Sequence, residues 1–263
     1  MSLPLSGARV VIIGAGNVAT SLARALAPLC HIEQIYSRTL PHAQALAAAV
    51  GCPNAICELA GVASDADMYI ISVSDDAIAA VVEAVPDNGA LWVHTSGSKP
   101  IGLFEGRRAR YGVLYPMQSF VKRAPTGFSQ VPFFVEGSDP GCEADIMAVA
   151  RALSERVYTA DSDTRRTLHI AAVFCCNFAN HLWALADDLL RREGIAFDVM
   201  LPLIRATVDK LELMSPAQAQ TGPAARRDYE VLTQHLSTLS GDKHEVYDIL
   251  SKSIIRFHHS QGD

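Results

Sequence analysis

The sequence predicts an α/β protein in which a parallel sheet is followed by an all-helical region. Up to about residue 160, short apolar runs alternate with helix-like stretches, and beyond that point strand signals nearly disappear. Strands that alternate with helices are typical of parallel βαβ units. We therefore expect an α/β domain at 1–160 and an all-α domain at 161–263.

The predicted strands are short and apolar. They are Arg9–Ile13, His31–Tyr36, Met68–Val73, Ala90–His94, Gly112–Tyr115 and Pro132–Val135, with Arg156–Tyr158 as a last candidate. The runs Val11-Ile12-Ile13 and Tyr69-Ile70-Ile71 show no alternation of polar and apolar residues, as expected for strands that are buried on both faces.

The predicted helices differ between the two regions. In the first they are Asn17–Ala27, Pro41–Ala49 and Asp75–Val85; in the second they are Asp163–Arg192, Asp198–Met214, Arg226–Leu239 and His244–His258. The helix Asp163–Arg192 is apolar nearly all round from Leu168 to Leu190, so we expect it inside a domain or at a dimer interface. The sequence therefore predicts a homodimer built through the C-terminal helices.

Composition limits the function classes. Hydrophobic residues make up 49% of the 263 residues, which supports a large buried core. The net charge of −6 argues against a nucleic-acid partner, because phosphate binding needs clustered Lys and Arg. The apolar stretch Val10–Leu29 is interrupted by polar residues and lacks a cationic segment before it, so we expect neither a signal peptide nor a membrane span.

Six cysteines without a CxxC pair indicate reduced, mostly buried thiols and no metal site. Reduced thiols are typical of a cytoplasmic protein.

A glycine-rich turn directly follows the first strand. The residues Gly14-Ala15-Gly16-Asn17-Val18-Ala19 fit the pattern G-x-G-x-x-A at the start of a helix. In this pattern the first glycine permits a tight turn, the second lets the backbone approach a pyrophosphate, and the helix amides meet the phosphates. A chance glycine turn is the alternative. The flanking strand and helix favour a Rossmann-type dinucleotide site that includes Asn17 and Val18.

The end of the second strand indicates which dinucleotide binds. NAD enzymes carry an acid there for the ribose 2′-hydroxyl, whereas this chain has Ser37-Arg38-Thr39. A guanidinium beside two hydroxyls suits a 2′-phosphate, although an ordinary exposed loop arginine is the alternative. The sequence therefore predicts NADP as the cofactor.

Several motifs together resemble a known family. They are His94-Thr95-Ser96-Gly97, Tyr115-Pro116-Met117-Gln118-Ser119-Phe120, His169 to His181, and Thr221-Gly222-Pro223 with Arg227-Asp228. Along the whole chain they look like the bacterial Rossmann-like family with a DUF2520 C-terminal domain, within the superfamily of pyrroline-5-carboxylate reductase and 6-phosphogluconate dehydrogenase. The resemblance implies an NADP oxidoreductase in which the nicotinamide lies against Val73 and Ser74 and faces the loop that contains Ser96.

The long helix carries the other catalytic candidates, His169 and Asn177. The 6-phosphogluconate group has a lysine four residues before an asparagine on this helix, and here Val173 occupies that position. Histidine titrates near neutral pH, so His169 could donate a proton instead, or it could be a core residue. Ser96 could orient the substrate or merely turn the chain. Lys99 and Lys210 are weaker acid candidates.

Arg227 is followed by Asp228, so it could bind a substrate anion or pair with that acid. These residues predict an NADP(H)-dependent reductase of a small carbonyl or imine acid. The alternative is a non-catalytic dinucleotide-binding or sensing protein, and reduction with a deazaflavin is a third hypothesis.

Overall fold

The computed structural model describes residues 5–122 and 127–259. The chain divides into two compact units, Met1–Asn177 and Phe178–Asp263. The domain boundary predicted from the sequence is residue 160, before the long helix. The division between the two units falls inside the long helical segment, after Asn177. The roles expected of the two domains stay predictions.

Unit 1 contains an eight-stranded sheet. The strands are β1 Arg9–Ile13, β2 His31–Tyr36, β3 Asn54–Ile56, β4 Met68–Ile71, β5 Leu91–His94, β6 Arg110–Pro116, β7 Phe133–Gly137 and β8 Val157–Thr159. Their order in the sheet is β3-β2-β1-β4-β5-β6-β7-β8, and all neighbours are parallel except β6 and β7. The predicted α/β class is confirmed, and β3 is the strand that the sequence did not predict.

Strand register brings the loops of the site to one edge. Ile13, the last residue of β1, pairs with Tyr36 at the end of β2 and with Ile71 at the end of β4. The amide of Thr95 donates to the carbonyl of Ile71, 3.1 Å away, so β5 also ends here. Four carboxyl ends of parallel strands therefore share one edge, which is where open α/β sheets bind ligands.

Helices cover both faces of this sheet. The helices α1 Asn17–Leu26 and α2 Leu40–Val50 pack on one face, α3 Ile78–Ala84 packs on the other, and α4 Pro140–Leu153 packs on the first. Helix α5, Ser162–Ala172, follows β8. Within β1, Val10 and Ile12 belong to one apolar cluster and Val11 and Ile13 to another, and all four are fully buried. Burial on both faces explains why the strand sequences lack alternation.

Two predictions for unit 1 need correction. Helix α4 was not predicted, although Asp139 caps it by accepting from the amides of Gly141 and Cys142. The predicted helix Asp75–Val85 begins with a 3₁₀ turn, Asp75–Ala77, before α3.

The predicted long helix Asp163–Arg192 is not one regular α-helix. Helix α5 passes into a π-helical segment, Val173–Phe178, which is followed by α6, Ala179–Arg192. Of the two expected locations, the interior of a domain does not apply to this segment, because both Phe174 and Phe178 are at least half exposed. The dimer interface stays a prediction. By length and composition alone, Ser162–Arg192 is apolar enough to cross a membrane. A helix that packs in a protein interface has the same composition.

Unit 2 is helical, as predicted. After α6 its helices are α7 Leu201–Asp209, α8 Pro216–Ala219, α9 Pro223–Arg226, α10 Tyr229–Thr238 and α11 Asp242–His259. The predicted helix Asp198–Met214 is α-helical only in its middle, with 3₁₀ turns on either side. The predicted helix Arg226–Leu239 is broken at Arg227, whose φ of 57° ends α9, and Asp228 then caps α10.

The thiols are less buried than expected. The six cysteines are free, but within the described residues Cys52 and Cys142 alone are buried. Cys175 and Cys176 are exposed because the π-helical segment itself is exposed.

Candidate functional site

A cavity of about 740 Å³ lies in unit 1. It has the size of a cofactor site and follows the edge where β1, β2, β4 and β5 end. The predicted residues among its lining are Gly14, Gly16, Asn17, Val18, Ser37, Arg38, Thr39, Val73, Ser74, Ser96 and His169. It is further lined by residues to which sequence reasoning gave no site role, including His42, Tyr115, Gln118 and Lys122.

The two glycines of the first turn meet different surroundings. Gly14 has φ +133°, and a Cβ there would lie 2.1 Å from the carbonyl oxygen of Ser72, so a side chain cannot fit. A Cβ on Gly16 would meet no heavy atom within 4 Å. Gly14 therefore permits the close approach of β1 and β4, whereas Gly16 leaves open backbone facing the cavity.

The start of α1 suits an anion. Gly16 caps this helix without a side-chain hydrogen bond, and no acidic residue lies in the first turn. The free amides and the positive end of the helix dipole therefore remain for a ligand. A pyrophosphate fits this arrangement.

Arg38 is exposed at the end of β2, between Ser37 and Thr39, and all three residues line the cavity. His42, in the first turn of α2, lines it too. A phosphate on the ribose would find a guanidinium, two hydroxyls and an imidazole here, so the residues fit NADP.

Three amides of the loop after β5 donate to side chains of β5 and of the loop itself. The amide of Ser96 donates to Nδ1 of His94, and Oγ of Ser96 accepts from the amides of Ser98 and Lys99, each 3.1 Å away. His94 is fully buried. Burial, together with the charge of nearby Arg165, lowers the pKa of His94 to about 4, so His94 is a neutral acceptor. Ser96 thus fixes the shape of the loop, and its own hydroxyl oxygen lies 3.5 Å from Oγ of Ser98.

Two side chains meet at this end of the cavity. The hydroxyl oxygen of Tyr115, on β6, lies 3.2 Å from Nδ1 of His169, on α5. A Cβ on Gly97 would be 2.7 Å from both Nδ1 of His169 and Cζ of Tyr115. Glycine at position 97 therefore lets the loop pack directly against the pair.

A carboxylate lies nearby. Asp75 lines the same cavity and accepts a short hydrogen bond from the hydroxyl of Ser98. Burial raises the pKa of Tyr115, with Asp75 adding to the rise and Arg165 opposing it, so Tyr115 carries its proton at neutral pH.

Asn177 is not brought to the cavity. It lies exposed in the π-helical segment, and the cavity lining ends at His169. Tyr115 was missed as a site residue, although it opens the Tyr-Pro-Met-Gln motif that marked the family resemblance. Its partner is 54 residues away in sequence, so no local pattern connects the two.

Within residues 5–122 and 127–259, no group of three or more His, Cys, Asp or Glu is placed to hold a metal ion.

The comparisons with known proteins agree with this geometry. Residues 9–95 match a family described as NADP oxidoreductase coenzyme F420-dependent, and residues 131–254 match the domain of unknown function DUF2520. A Bacteroides fragilis protein assigned as an NADP oxidoreductase is 44% identical, over 95% of this chain and 98% of that one, with a TM-score of 0.89. The chain belongs to the NADP oxidoreductase family with a DUF2520 domain. It is therefore an oxidoreductase, and the predicted cofactor, NADP, is confirmed.

Other solved structures share the fold at lower identity. A Thermotoga maritima protein is 23% identical over 97% of this chain and all of its own, with a TM-score of 0.71. A reductive aminase from Aspergillus terreus, in complex with NADPH and ethyl-5-oxohexanoate, is 16% identical over 95% of this chain and 94% of its own, with a TM-score of 0.72. No curated protein matches the chain.

Proposed function

We propose that this NADP oxidoreductase reduces the C=O or C=N bond of a small carbonyl or imine acid, with Tyr115 and His169 supplying the proton. The observation that carries the proposal is the contact between these two side chains inside the cavity that contains the glycine turn. NADPH supplies the hydride when it is bound, and that chemistry belongs to the cofactor. The reductive aminase, which shares the fold, was crystallised with a keto ester and NADPH.

The chain's own residues have separable tasks in this proposal. Tyr115, held protonated by burial, donates to the oxygen or nitrogen that gains negative charge, and His169 replaces that proton through its Nδ1 contact. Val73 and Ser74 support the nicotinamide side of the cavity. The hydroxyl of Ser96 orients the substrate. Asn177 retains its proposed role only if it moves toward the cavity.

Three amides of the loop after β5 are not available to the acid group of the substrate. The amides of Ser96, Ser98 and Lys99 already donate within the loop. Lys122 provides a cation in the lining of the same cavity. We therefore assign the substrate carboxylate to Lys122, which predicts that keto acids are preferred over their esters and that Lys122→Met removes this preference.

The deciding experiment follows NADPH oxidation with a panel of keto acids, matched keto esters and cyclic imines. His169→Ala serves as the inactive control. A deazaflavin acceptor belongs in the panel because the N-terminal family description names coenzyme F420. Tight NADPH binding without turnover of any substrate would instead support a sensing protein.

We also propose that two copies of the chain associate through unit 2. Between residues 178 and 259, the buried apolar side chains are only Ala224 and Leu232. Leu203, Val208 and Leu213 are all more than half exposed. Exposed apolar surface on this scale is typical of an interface, and symmetric dimers are the commonest oligomers. Cytoplasmic location remains a prediction from the sequence.

A further inference from the structure

A buried arginine links the loop after β5 to helix α5, and both elements line the cavity near Tyr115. Arg165 lies on α5, four residues before His169, so both side chains lie on the same face of the helix. Arg165 is fully buried, which is rare for arginine and requires a partner for its charge. It does not line the cavity, and the proton transfer proposed above does not use it.

The guanidinium of Arg165 contacts three parts of unit 1. One Nη forms a short ion pair with Glu136 on β7. The other donates to the carbonyl oxygen of Lys99, 2.6 Å away, and to Oγ of Ser162, 3.2 Å away. Planar guanidinium geometry makes such simultaneous contacts possible, and a lysine ammonium cannot reproduce them.

Ser162 closes the network. Its amide and its hydroxyl donate to Glu136, and its Oγ accepts from the amide of Ile101, 3.0 Å away. Loop residues 99 and 101, strand β7 and the start of α5 are thereby joined through one buried ion pair. Gly97 lies two residues before Lys99, and His169 lies one helical turn after Arg165.

We propose that Arg165 is a positioning residue: it holds the Gly97 loop and helix α5 at the spacing that keeps His169 against Tyr115. The inference rests on the proposed function only for its catalytic consequence. The contact between Gly97, Tyr115 and His169 is tight enough that a small shift of either wall would separate the proton donors. Misplacement of reacting groups by about 1 Å costs on the order of 10²-fold in rate.

A purely structural ion pair is the competing explanation, and the chain offers a matched control. Arg110 pairs with the buried carboxylate of Asp145 between β6 and α4, away from the cavity lining. Arg110→Met should therefore lower the free energy of unfolding while leaving the Tyr115–His169 contact and turnover unchanged.

The test compares Arg165→Lys with wild type and Arg110→Met. In ring-labelled protein, nuclear Overhauser contacts between Tyr115 and His169 report the spacing without any turnover. We expect Arg165→Lys to lose these contacts and to lower kcat by on the order of 10²-fold, with NADPH affinity within about twofold. Because Arg165→Lys could fail to fold, E136Q/R165M removes both charges together, which avoids an unpaired buried carboxylate. It should show the same loss of contact.

Intact ring contacts and wild-type kcat in either folded variant would overturn the positioning role. If the proposed function is wrong, wild-type protein will reduce none of the substrates. The ring contacts between Tyr115 and His169 would still decide whether Arg165 sets their spacing.

Discussion

The hydroxyl oxygen of Tyr115 lies 3.2 Å from Nδ1 of His169, and each group comes from a different element of unit 1. In the proposed function this contact makes the two residues one proton-donating pair. Removal of either partner should therefore cost about as much as removal of both, since residues that act as a unit are not additive.

We expect Tyr115→Phe to lower kcat by roughly 10²–10⁴-fold, the usual share of general acid catalysis. The phenylalanine keeps the ring and its packing, so NADPH affinity should not change. Steady-state kinetics of Tyr115→Phe, His169→Ala and the double variant decide the point. Losses in the two single variants that multiply in the double variant would show that the residues act independently.

Gly97 provides a steric test of the same pair. In Gly97→Ala the new Cβ would lie 2.7 Å from Nδ1 of His169 and from Cζ of Tyr115, so the pair must separate. Overpacking of this kind costs about 1–3 kcal/mol of stability, and turnover should fall with it. Urea unfolding and kinetics measure the two effects.

The matched control for Gly97→Ala is the same substitution in the His169→Ala background. Removal of the imidazole leaves the contact with Cζ of Tyr115, so the stability loss should shrink but not vanish. A full loss in that background would assign the overpacking to Tyr115 alone.

We expect the end of β2 to determine the choice of cofactor. Arg38→Ala should remove the preference for NADP(H) over NAD(H), which we expect to be at least tenfold in wild type. A lost charge-assisted contact costs roughly 1.5–3 kcal/mol, or about tenfold or more in affinity. Titration of both cofactors measures the change, with Arg107→Ala as control because Arg107 pairs with Glu83 outside the cavity lining. Equal affinities in wild type would refute the role of Arg38.

The turn around Gly14 and the Ser37–Thr39 segment were predictable because their signals are local. Each is a short pattern directly after a strand, and the strand register then places both at one edge of the sheet. Helix α4 also has a local signal, Asp139 followed by Pro140, which is typical of a helix start.

The catalytic candidates were harder to predict, because their placement depends on tertiary structure. A regular α-helix was assumed from Asp163 onward, but the π-helical segment Val173–Phe178 changes the turn angle just where Asn177 lies. His169 precedes that segment and reaches the cavity, whereas Asn177 does not. The assignment of catalytic roles stays a prediction.

Stability should fall on mild acidification because of His94. Its pKa is lowered to about 4 in the folded protein by burial, against an ordinary value of 6.5. The unfolded chain therefore binds more protons between these values, and the folded state loses stability as the pH falls through this window. We expect a loss of about 2 kcal/mol between pH 7 and pH 5, at 1.36 kcal/mol per unit.

Urea unfolding at the two pH values measures this loss. His94→Asn keeps an acceptor for the amide of Ser96 but cannot titrate, so it should show much less pH dependence. The same loss in wild type and in His94→Asn would assign the effect to other groups.

The proposed dimer makes the last prediction. Leu203 is 64% exposed and Leu213 is 82% exposed, so unit 2 presents large apolar side chains that the chain itself does not cover. Burial of such side chains contributes about 1.5–3 kcal/mol each, which favours association with a second copy. Sedimentation of wild type at micromolar concentration should give twice the 28.3 kDa of the chain.

Charges at these positions should prevent association. L203E/L213E should sediment as a monomer. It should also unfold at lower urea concentration, because no second copy then buries the apolar side chains of unit 2. Val121→Glu is the control, since Val121 is an apolar residue of unit 1 with 53% exposure and should leave the dimer intact. A wild-type monomer would contradict the proposal. A dimer that survives in L203E/L213E but dissociates in Val121→Glu would place the interface on unit 1 instead.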